Sequence, residues 1–217
     1  MKPFVYEPPK TPLDILYIDE DVLVVNKPSG LLTVPGKELK HHDSLELRVK
    51  IEYPNSFLVH RLDMDTSGVI IFALSKSTQR LLNLQFEKRI VKKLYEARVF
   101  GNIKEDNGFI DLPLIVDWPN RPLQKIDAKE GKSALTHWQV LDREGDVTRV
   151  ALMPETGRTH QLRLHMMSLG HTILGDRFYG NVAEINLANE LQLHAKDLMI
   201  IHPKNGKKIT FKAPLPF

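Results

Sequence analysis

Cysteine is absent from this sequence of 217 residues. Its absence excludes disulfides, thiolate metal sites and cysteine nucleophiles, and it is typical of proteins in a reducing compartment. Long apolar runs are also missing: no stretch of 18 apolar residues occurs, and the first 14 residues lack the apolar core of a signal peptide. We therefore expect a soluble, cytoplasmic protein with no membrane association.

Nucleotide-binding signatures are missing as well. The sequence contains no Walker loop, no glycine fingerprint for a dinucleotide and no serine elbow. It therefore gives no support for nucleotide or hydride chemistry. His160 and His165 are five residues apart, not the four that place two metal ligands on one helical face.

The net charge is only +3, with a pI near 9.0, but the basic residues are clustered. One interpretation is a basic face that binds nucleic acid, and the other is a set of solvated loop lysines. The clusters are Lys88, Arg89, Lys92 and Lys93; then Arg121, Lys125, Lys129 and Lys132; and then Lys204, Lys207, Lys208 and Lys212.

The most informative stretch runs over residues 59–76. Its charged side chains, followed by Thr66-Ser67-Gly68, come directly before an apolar run at 69–74 that predicts a buried strand. A carboxylate at that position would be anchored by the sheet and partly shielded from water, as an acid, base or nucleophile requires. The charged residues are His60, Arg61, Asp63 and Asp65.

Each of these residues also has a simpler interpretation. Asp63 can be one half of a structural ion pair or a turn cap, and Asp65 before Thr66 favours a local turn. A third possibility is a metal held by both carboxylates with His60 as the third ligand, although no other part of the sequence has ligand spacing.

Periodicity and turn residues predict the secondary structure. Strands are predicted at 15–18, 22–25, 31–34, 69–74, 94–100, 109–115 (interrupted at Pro113), 135–141, 147–153, 198–201 and 208–212, the last two as a hairpin around Asn205-Gly206. Helices are predicted from Asp43 or Ser44 to about 52, with a strand as the alternative, and at 77–90, 159–169 and 186–191. Ser77 and Thr159 are the predicted caps, Gly170 is a predicted left-handed stop, and 118–132 is predicted to be a long surface loop.

Most connections between strands are too short for crossover helices, so the pattern predicts an α+β fold with a mainly antiparallel sheet. Residues 1–13 are rich in proline and are expected to form an extended arm. Residues 14–217 show no change of composition and no repeat, so we expect them to form one catalytic domain.

Seven short motifs together resemble the RluA-type family of RNA pseudouridine synthases. In addition, DWPNRPLQK at 117–125 resembles a short subgroup that modifies both 23S ribosomal RNA and a tRNA anticodon stem-loop. The motifs are NKPSG at 26–30, HRLDMDTSG at 60–68, KLY at 93–95, GK at 131–132, GRTHQLRLH at 157–165, LGDRFYG at 174–180 and LHA at 193–195.

The resemblance implies a role for five residues. Asp63 matches the catalytic aspartate, Arg163 the arginine paired with it, and Tyr95 the tyrosine stacked on the target base and associated with proton transfer. Arg61 matches an arginine that occupies space near the flipped base, and Leu193 an apolar residue at the same pocket.

The resemblance also implies the pseudouridine synthase fold, a mixed sheet with flanking helices and a central RNA-binding cleft, and a reaction without metal or organic cofactor. Lys93, Arg121 and Lys125 are the further residues expected to contact RNA. Since the sequence begins at the catalytic domain, we expect no N-terminal S4 module, and we expect a monomer without an obligate protein partner.

Two other functions remain open at this point. One is an RNA-binding or chaperone module without activity, although a pure RNA binder gains nothing from a carboxylate that faces RNA. The other is a metal-dependent phosphohydrolase that uses His60, Asp63 and Asp65, which sensitivity to a chelator would reveal.

Overall fold

The structure is a computed structural model that describes residues 5–217, and these residues form two compact units. The first unit comprises residues 5–91 and Ala195–Pro214, and the second comprises Lys92–His194 and Leu215–Phe217. That residues 14–217 act as one catalytic domain stays a prediction.

Twelve strands and four α-helices make up the regular structure of the described residues. The strands are β1 (Asp14–Ile18), β2 (Val22–Lys27), β3 (Phe57–Leu58), β4 (Ser67–Ala73), β5 (Lys92–Phe100), β6 (Asn107–Asp111), β7 (Leu114–Val116), β8 (Gln124–Ile126), β9 (Leu135–Glu144), β10 (Val147–Pro154), β11 (Leu193–Ile201) and β12 (Lys208–Lys212). The helices are α1 (Leu45–Glu52), α2 (Lys76–Glu87), α3 (Gln161–Ser168) and α4 (Val182–Ile185), and short 3-10 turns lie at Leu39–His41 and Trp118–Asn120.

In the first unit, β4 lies between β2 and β11, β1 pairs with β2, and β12 pairs with β11. Every residue of β4 is buried, as its continuous apolar sequence predicts. Helix α2 covers this sheet and buries Leu82. It begins at Lys76 with Ser75 as its cap, so the prediction that Ser77 caps this helix is wrong.

The segment before α1 is a loop, and the predicted strand at 31–34 is wrong. The carbonyl groups of Leu32 and Thr33 accept hydrogen bonds from Leu45 N (2.8 Å) and Glu46 N (3.0 Å), which are N–H groups of the first turn of α1. Helix starts leave such groups without intrahelical partners, and here the loop satisfies them. The helix at this position is confirmed, with Ser44 as its cap, and the alternative of a strand is wrong.

Only part of the predicted N-terminal arm can be compared with the structure, because residues 1–4 lie outside the described residues. Residues 5–13 form neither helix nor strand. They are nevertheless fixed to α1, because Tyr6 Oη donates to Asp43 O (2.8 Å) and Arg48 Nη2 donates to Pro9 O (2.8 Å).

The second unit is built on the strand order β5-β10-β9-β6. A separate hairpin, β7 and β8, packs beside α3 through a small apolar cluster that contains Leu114 and Leu164, with Ile126 against it. The predicted interruption of the strand at 109–115 is confirmed: it is divided at Pro113 into β6 and β7, because proline cannot donate to a strand ladder. The prediction of an uninterrupted loop over 118–132 is wrong, since β8 lies within it.

Two helix starts differ from prediction. Helix α3 begins at Gln161, preceded by His160 in the left-handed region (φ 54°) without a side-chain cap, so Thr159 does not cap it. The predicted helix at 186–191 is wrong, and α4 lies earlier, where Asn181 and Glu184 form a capping box. Gly170 ends α3 with a φ of 82°, as predicted.

The α+β class with a mainly antiparallel sheet is confirmed. The pairings of β1 with β2, β2 with β4, β3 with β4 and β11 with β12 are antiparallel in the first unit, as are β5 with β10, β10 with β9, β6 with β9 and β7 with β8 in the second. Of the helices in residues 5–217, none combines the length and apolar character needed to cross a bilayer.

Candidate active site

The charged loop of the first unit leads directly into the buried strand β4. Asp63 and Asp65 are half-buried in it, Arg61 is exposed, and Thr66 N donates to Asp63 O (3.2 Å) to close a turn. The position predicted for Asp63, partly shielded and anchored by the sheet, is confirmed.

Lys27 holds this loop in place through hydrogen bonds from its buried side chain. Its side chain is fully buried, and its ammonium donates to three carbonyl oxygens: Pro28 O (2.9 Å), Leu31 O (2.7 Å) and Met64 O (2.8 Å). Burial lowers the pKa of Lys27 to about 7, against the opposing effect of the carboxylates of Asp65 and Asp63. The amino group of Lys27 is therefore held against the backbone between the two aspartates.

Two hydroxyl groups complete the anchoring of the loop. Thr33 Oγ1 donates to Leu62 O (2.7 Å) and accepts from Leu62 N (3.3 Å), and Ser29 Oγ donates to Asp65 O (2.8 Å). The backbone on both sides of Asp63 is thus held by side chains from residues 27–33. Such support from neighbouring groups is what keeps a catalytic carboxylate in one orientation.

Gly68 allows β4 to approach its neighbour. Its φ is 113°, and a Cβ atom built at Gly68 would lie 2.2 Å from Ala195 O. No L side chain fits that position, because backbone atoms cannot move aside as a flexible side chain can. The glycine that ends the charged loop is therefore a structural requirement of the sheet behind it.

His60 has a structural role that argues against the metal interpretation. Its Nε2 accepts a hydrogen bond from Ile71 N (3.2 Å), and its ring stacks on Phe86 with the ring centroids 4.8 Å apart. Nε2 therefore offers no lone pair to a metal.

Within the described range, 5–217, the one group of three ligating side chains with donor atoms within 4.8 Å of one another is Asp19, Asp21 and His202. The Asp19 carboxylate already accepts from His202 Nε2 (2.8 Å) and from Asp21 N (2.8 Å). His202 Nδ1 accepts from Lys204 N (3.3 Å), so Nε2 carries the proton and is not a ligand. These three residues therefore form a hydrogen-bonded group in which His202 is bonded to the turn at residues 19–21.

In the second unit, Tyr95 lies on β5 opposite Leu152 of β10 and is half-buried. It packs against the apolar cluster that contains Leu193, which is 3% exposed. The resemblance placed these two residues at one pocket, and the structure places them at one cluster. Lys93, two residues before Tyr95, donates to Thr156 O (2.9 Å) and so holds the turn that precedes α3.

Arg163 is buried in a bidentate ion pair within the second unit. Its Nε donates to Asp176 Oδ2 (2.7 Å) and its Nη2 to Asp176 Oδ1 (2.6 Å), and the two side chains are 2% and 0% exposed. The rings of Phe178 and Tyr179 lie 4.9 and 5.3 Å from the guanidinium carbon. Two aromatic rings and a planar fork of hydrogen bonds fix the plane of this guanidinium.

Helix α3 is positioned by a buried polar network. Gln161 Nε2 donates to Thr136 Oγ1 (3.0 Å), and Gln161 Oε1 accepts from Thr156 Oγ1 (2.8 Å). His165 Nδ1 lies 2.9 Å from Thr136 Oγ1, and burial lowers the pKa of His165, so the imidazole is neutral. The network holds the helix that carries Arg163 in one register.

Arg121 and Lys125, predicted to contact RNA, lie on the exposed β7–β8 hairpin. The Arg121 guanidinium carbon lies 4.0 Å from the centroid of the Trp118 ring, and Lys125 pairs with Asp127 (3.3 Å).

Sequence reasoning gave no role to Lys27, Asp176 or Trp118. The signal for Lys27 was a lysine that ends a strand beginning with four apolar residues, directly before Pro-Ser-Gly. Asp176 lies in a quoted motif, but no spacing rule links it to an arginine thirteen positions earlier. Trp118 lies in a segment that was interpreted for its charge and for its resemblance to a subgroup, but not for its aromatic ring.

Comparison with known proteins agrees with the motifs. The family model "RNA pseudouridylate synthase" matches residues 21–168. A "Dual-specificity RNA pseudouridine synthase RluA" of Salmonella typhimurium is 54% identical over 98% of both chains, and the protein of that description from Escherichia coli strain K12 is 53% identical over the same shares. A solved structure, "Human RNA Pseudouridylate Synthase Domain Containing 1", is 31% identical with a TM-score of 0.78, over all of this chain and 87% of the other.

Proposed function

Because the chain belongs to the RNA pseudouridylate synthase family and so isomerises uridine to pseudouridine in RNA, we propose that Asp63 carries out this reaction and that Tyr95 and Arg163 assist it. The observation that carries the proposal is the rigid support of the Asp63 loop, above all the bond from buried Lys27 Nζ to Met64 O (2.8 Å). A surface ion pair would not need a loop fixed at three successive points.

The first step is access to the base. A uracil within a stem-loop is stacked, and extruding it from a loop costs a few kcal/mol. In this proposal the ring of Tyr95 receives the extruded base by stacking. Arg61, exposed on the loop that carries Asp63, fills the space that the base leaves, and Leu193 supplies apolar contact.

The carboxylate of Asp63 then acts as an anion. It attacks the nucleotide or removes a proton from the sugar, the bond between N1 and C1′ breaks, the uracil rotates, and a bond forms between C5 and C1′. The hydrogen at C5 leaves as a proton and N1 gains one, and the Tyr95 hydroxyl is the proposed carrier for these transfers. Asp63 is regenerated when its bond to the nucleotide breaks, or when it returns the proton taken from the sugar. The reaction proposed here needs no metal or organic cofactor.

Two basic residues are proposed to support the Asp63 carboxylate. Lys27 is the first, held beneath the loop. Arg163, the proposed partner of Asp63, is the second, and Asp176 accepts from its Nε and Nη2 and so fixes the plane of its guanidinium. The arginine would then be oriented by one aspartate in order to serve another.

The proposed substrates are ribosomal RNA and the anticodon stem-loop of a tRNA. The relatives that are 53–54% identical over 98% of the chain are named dual-specificity enzymes. Lys93, Arg121 and Lys125 are the proposed phosphate contacts. The enzyme is further proposed to act as a monomer in the cytoplasm, where the bacterial relatives would meet both RNAs.

The substrates are tested by mapping pseudouridine in total RNA from a strain that lacks the gene, before and after the gene is restored. Two kinds of sites, one in ribosomal RNA and one in tRNA, should lose pseudouridine and regain it. Restoration with an Asp63→Asn gene should regain neither, and Asp146→Asn, an exposed aspartate in the turn between β9 and β10, should regain both. Loss of modification in only one class of RNA would contradict dual specificity.

A further inference from the structure

Trp118 is exposed in a way that large aromatic residues seldom are. It lies in the turn that joins β7 to β8 and is 64% exposed, whereas Trp138, the other tryptophan of the sequence, is 6% exposed. Tryptophan ordinarily buries most of its surface, and in binding sites it supplies a large, rigid contact area. An indole left in water at the end of a hairpin therefore needs a reason other than packing.

The indole is held in a fixed position. The Arg121 guanidinium carbon lies 4.0 Å from the ring centroid, and Arg121 Nε donates to Trp118 O (3.1 Å), which closes the turn on itself. The backbone of the turn is closed by Asp117 N to Leu123 O (2.9 Å) and Leu123 N to Asn120 O (3.0 Å). The guanidinium covers one face of the indole, so the high exposure must come from the opposite face and the edges.

The hairpin that carries the turn is bonded to other elements of the second unit. Gln124 N donates to Tyr179 Oη (3.0 Å), and the ring of Tyr179 lies 5.3 Å from the Arg163 guanidinium carbon. Tyr179 Oη also lies 2.7 Å from His160 Nδ1, at the start of α3. Tyr179 therefore connects the hairpin that carries Trp118 to the guanidinium of Arg163.

The chemistry of this surface fits one occupant. An aromatic face with a cation behind it stacks a nucleobase, and Arg121 and Lys125 beside it carry positive charge for the adjoining phosphates. A protein partner would instead require an apolar pocket or a broad apolar patch, and the neighbours of Trp118 in the turn are Asp117, Pro119 and Asn120.

We propose that Trp118, backed by Arg121, is a stacking platform for a second unpaired base of the substrate RNA, separate from the uridine that is isomerised. This inference rests on the proposed function, because the ligand is the RNA substrate. The platform adds affinity for RNA that presents an unpaired base at a fixed distance from the target uridine, and so it selects looped substrates over duplexes. It takes no part in the chemical step.

The test compares Trp118→Ala, Trp118→Phe and wild type on a hairpin RNA that supports tritium release from C5-labelled uridine. Stacking on one aromatic side chain corresponds to roughly a tenfold change in affinity. Trp118→Ala should therefore raise Kd and KM about tenfold with kcat unchanged, and Trp118→Phe should restore most of the loss. The matched control is Phe109→Ala, which removes an aromatic ring that is 68% exposed on β6, and it should change neither constant.

A series of hairpins with one abasic loop position each identifies the stacked base. At one position outside the target uridine, the abasic RNA should bind wild type about tenfold more weakly and should bind Trp118→Ala with no further loss. The inference is overturned if Trp118→Ala binds hairpin RNA as tightly as wild type does, because the exposed face of the indole would then not stack a base of this RNA. It is also overturned if the variant loses affinity equally for hairpin and duplex RNA. Tritium release by Asp63→Asn at the wild-type rate on the same hairpin would instead refute the proposed function.

Discussion

Lys27 shows how a single buried residue organises the site. A fully buried ammonium is expensive unless its hydrogens are used, and here all three donors have carbonyl acceptors. Substitution by an apolar side chain of similar length would leave three carbonyl oxygens without a donor. Each buried carbonyl oxygen without a donor costs about 1–3 kcal/mol. We therefore expect the loop that carries Asp63 to rearrange while the rest of the protein stays folded.

The lowered pKa of Lys27 makes a prediction about stability and pH. The folded pKa is about 7 and the unfolded value is 10.5, so between these limits the unfolded chain binds a proton that the folded chain does not. Stability therefore rises with pH in that window, by at most about 1.4 kcal/mol per pH unit from this group, and is unaffected by it below pH 7.

Urea unfolding of wild type and Lys27→Met from pH 6 to pH 9.5 measures this contribution. The difference in free energy of unfolding between wild type and variant should be constant below about pH 7 and should grow in favour of wild type above it. The matched control is Lys50→Met, an exposed lysine on α1. Parallel curves for wild type and Lys27→Met would show that Lys27 does not titrate in this range.

At the scale of the element, strand β4 is constrained by a close backbone neighbour and by burial on both faces. Its first residues must pass close to Ala195, and its seven residues are buried on both faces. The sequence alone predicted this strand, because six consecutive apolar residues between turn residues have few other solutions. It could not reveal that Gly68 is required by a neighbouring backbone, since that approach is a tertiary contact.

The glycine requirement gives a prediction with an internal control. Gly68→Ala combines a φ of 113° with a Cβ atom 2.2 Å from Ala195 O, whereas Gly145→Ala has a φ of 61° and no atom within 4 Å. The left-handed conformation alone costs about 1–2 kcal/mol. Gly145→Ala should lose that amount of stability by thermal or urea unfolding, and Gly68→Ala should lose at least about 3 kcal/mol. Equal losses would mean that β4 can move away from Ala195.

The elements that were predicted wrongly differ in the physical reason for the error. The predicted strand at 31–34 has apolar alternation, but its carbonyl groups bind the start of α1 instead of a strand. The strand Gln124–Ile126 was missed because its three residues are too short and too polar to show a period. The predicted helix at 186–191 was misplaced because the capping box at Asn181 was overlooked, although the sequence contains it.

For the whole molecule, the residues proposed to act together lie far apart in the sequence. Periodicity and capping rules describe neighbours within about one helical turn or one strand, so they cannot say which distant side chains meet. The charged loop and its shielded carboxylate were predictable from residues alone. The roles of Tyr95, Arg163 and Leu193 came from the family resemblance, and the anchoring by Lys27 and Asp176 required the structure.

The central claim is that the carboxylate of Asp63 performs the chemistry. Tritium release from RNA labelled at C5 of uridine tests it most directly, with wild type, Asp63→Asn and Asp146→Asn compared at equal concentration. Asp63→Asn should release tritium more than about a thousandfold more slowly, while its Kd for the RNA and its unfolding midpoint stay at wild-type values. Asp146→Asn should match wild type. Tritium release by Asp63→Asn at a rate near that of wild type would contradict the account.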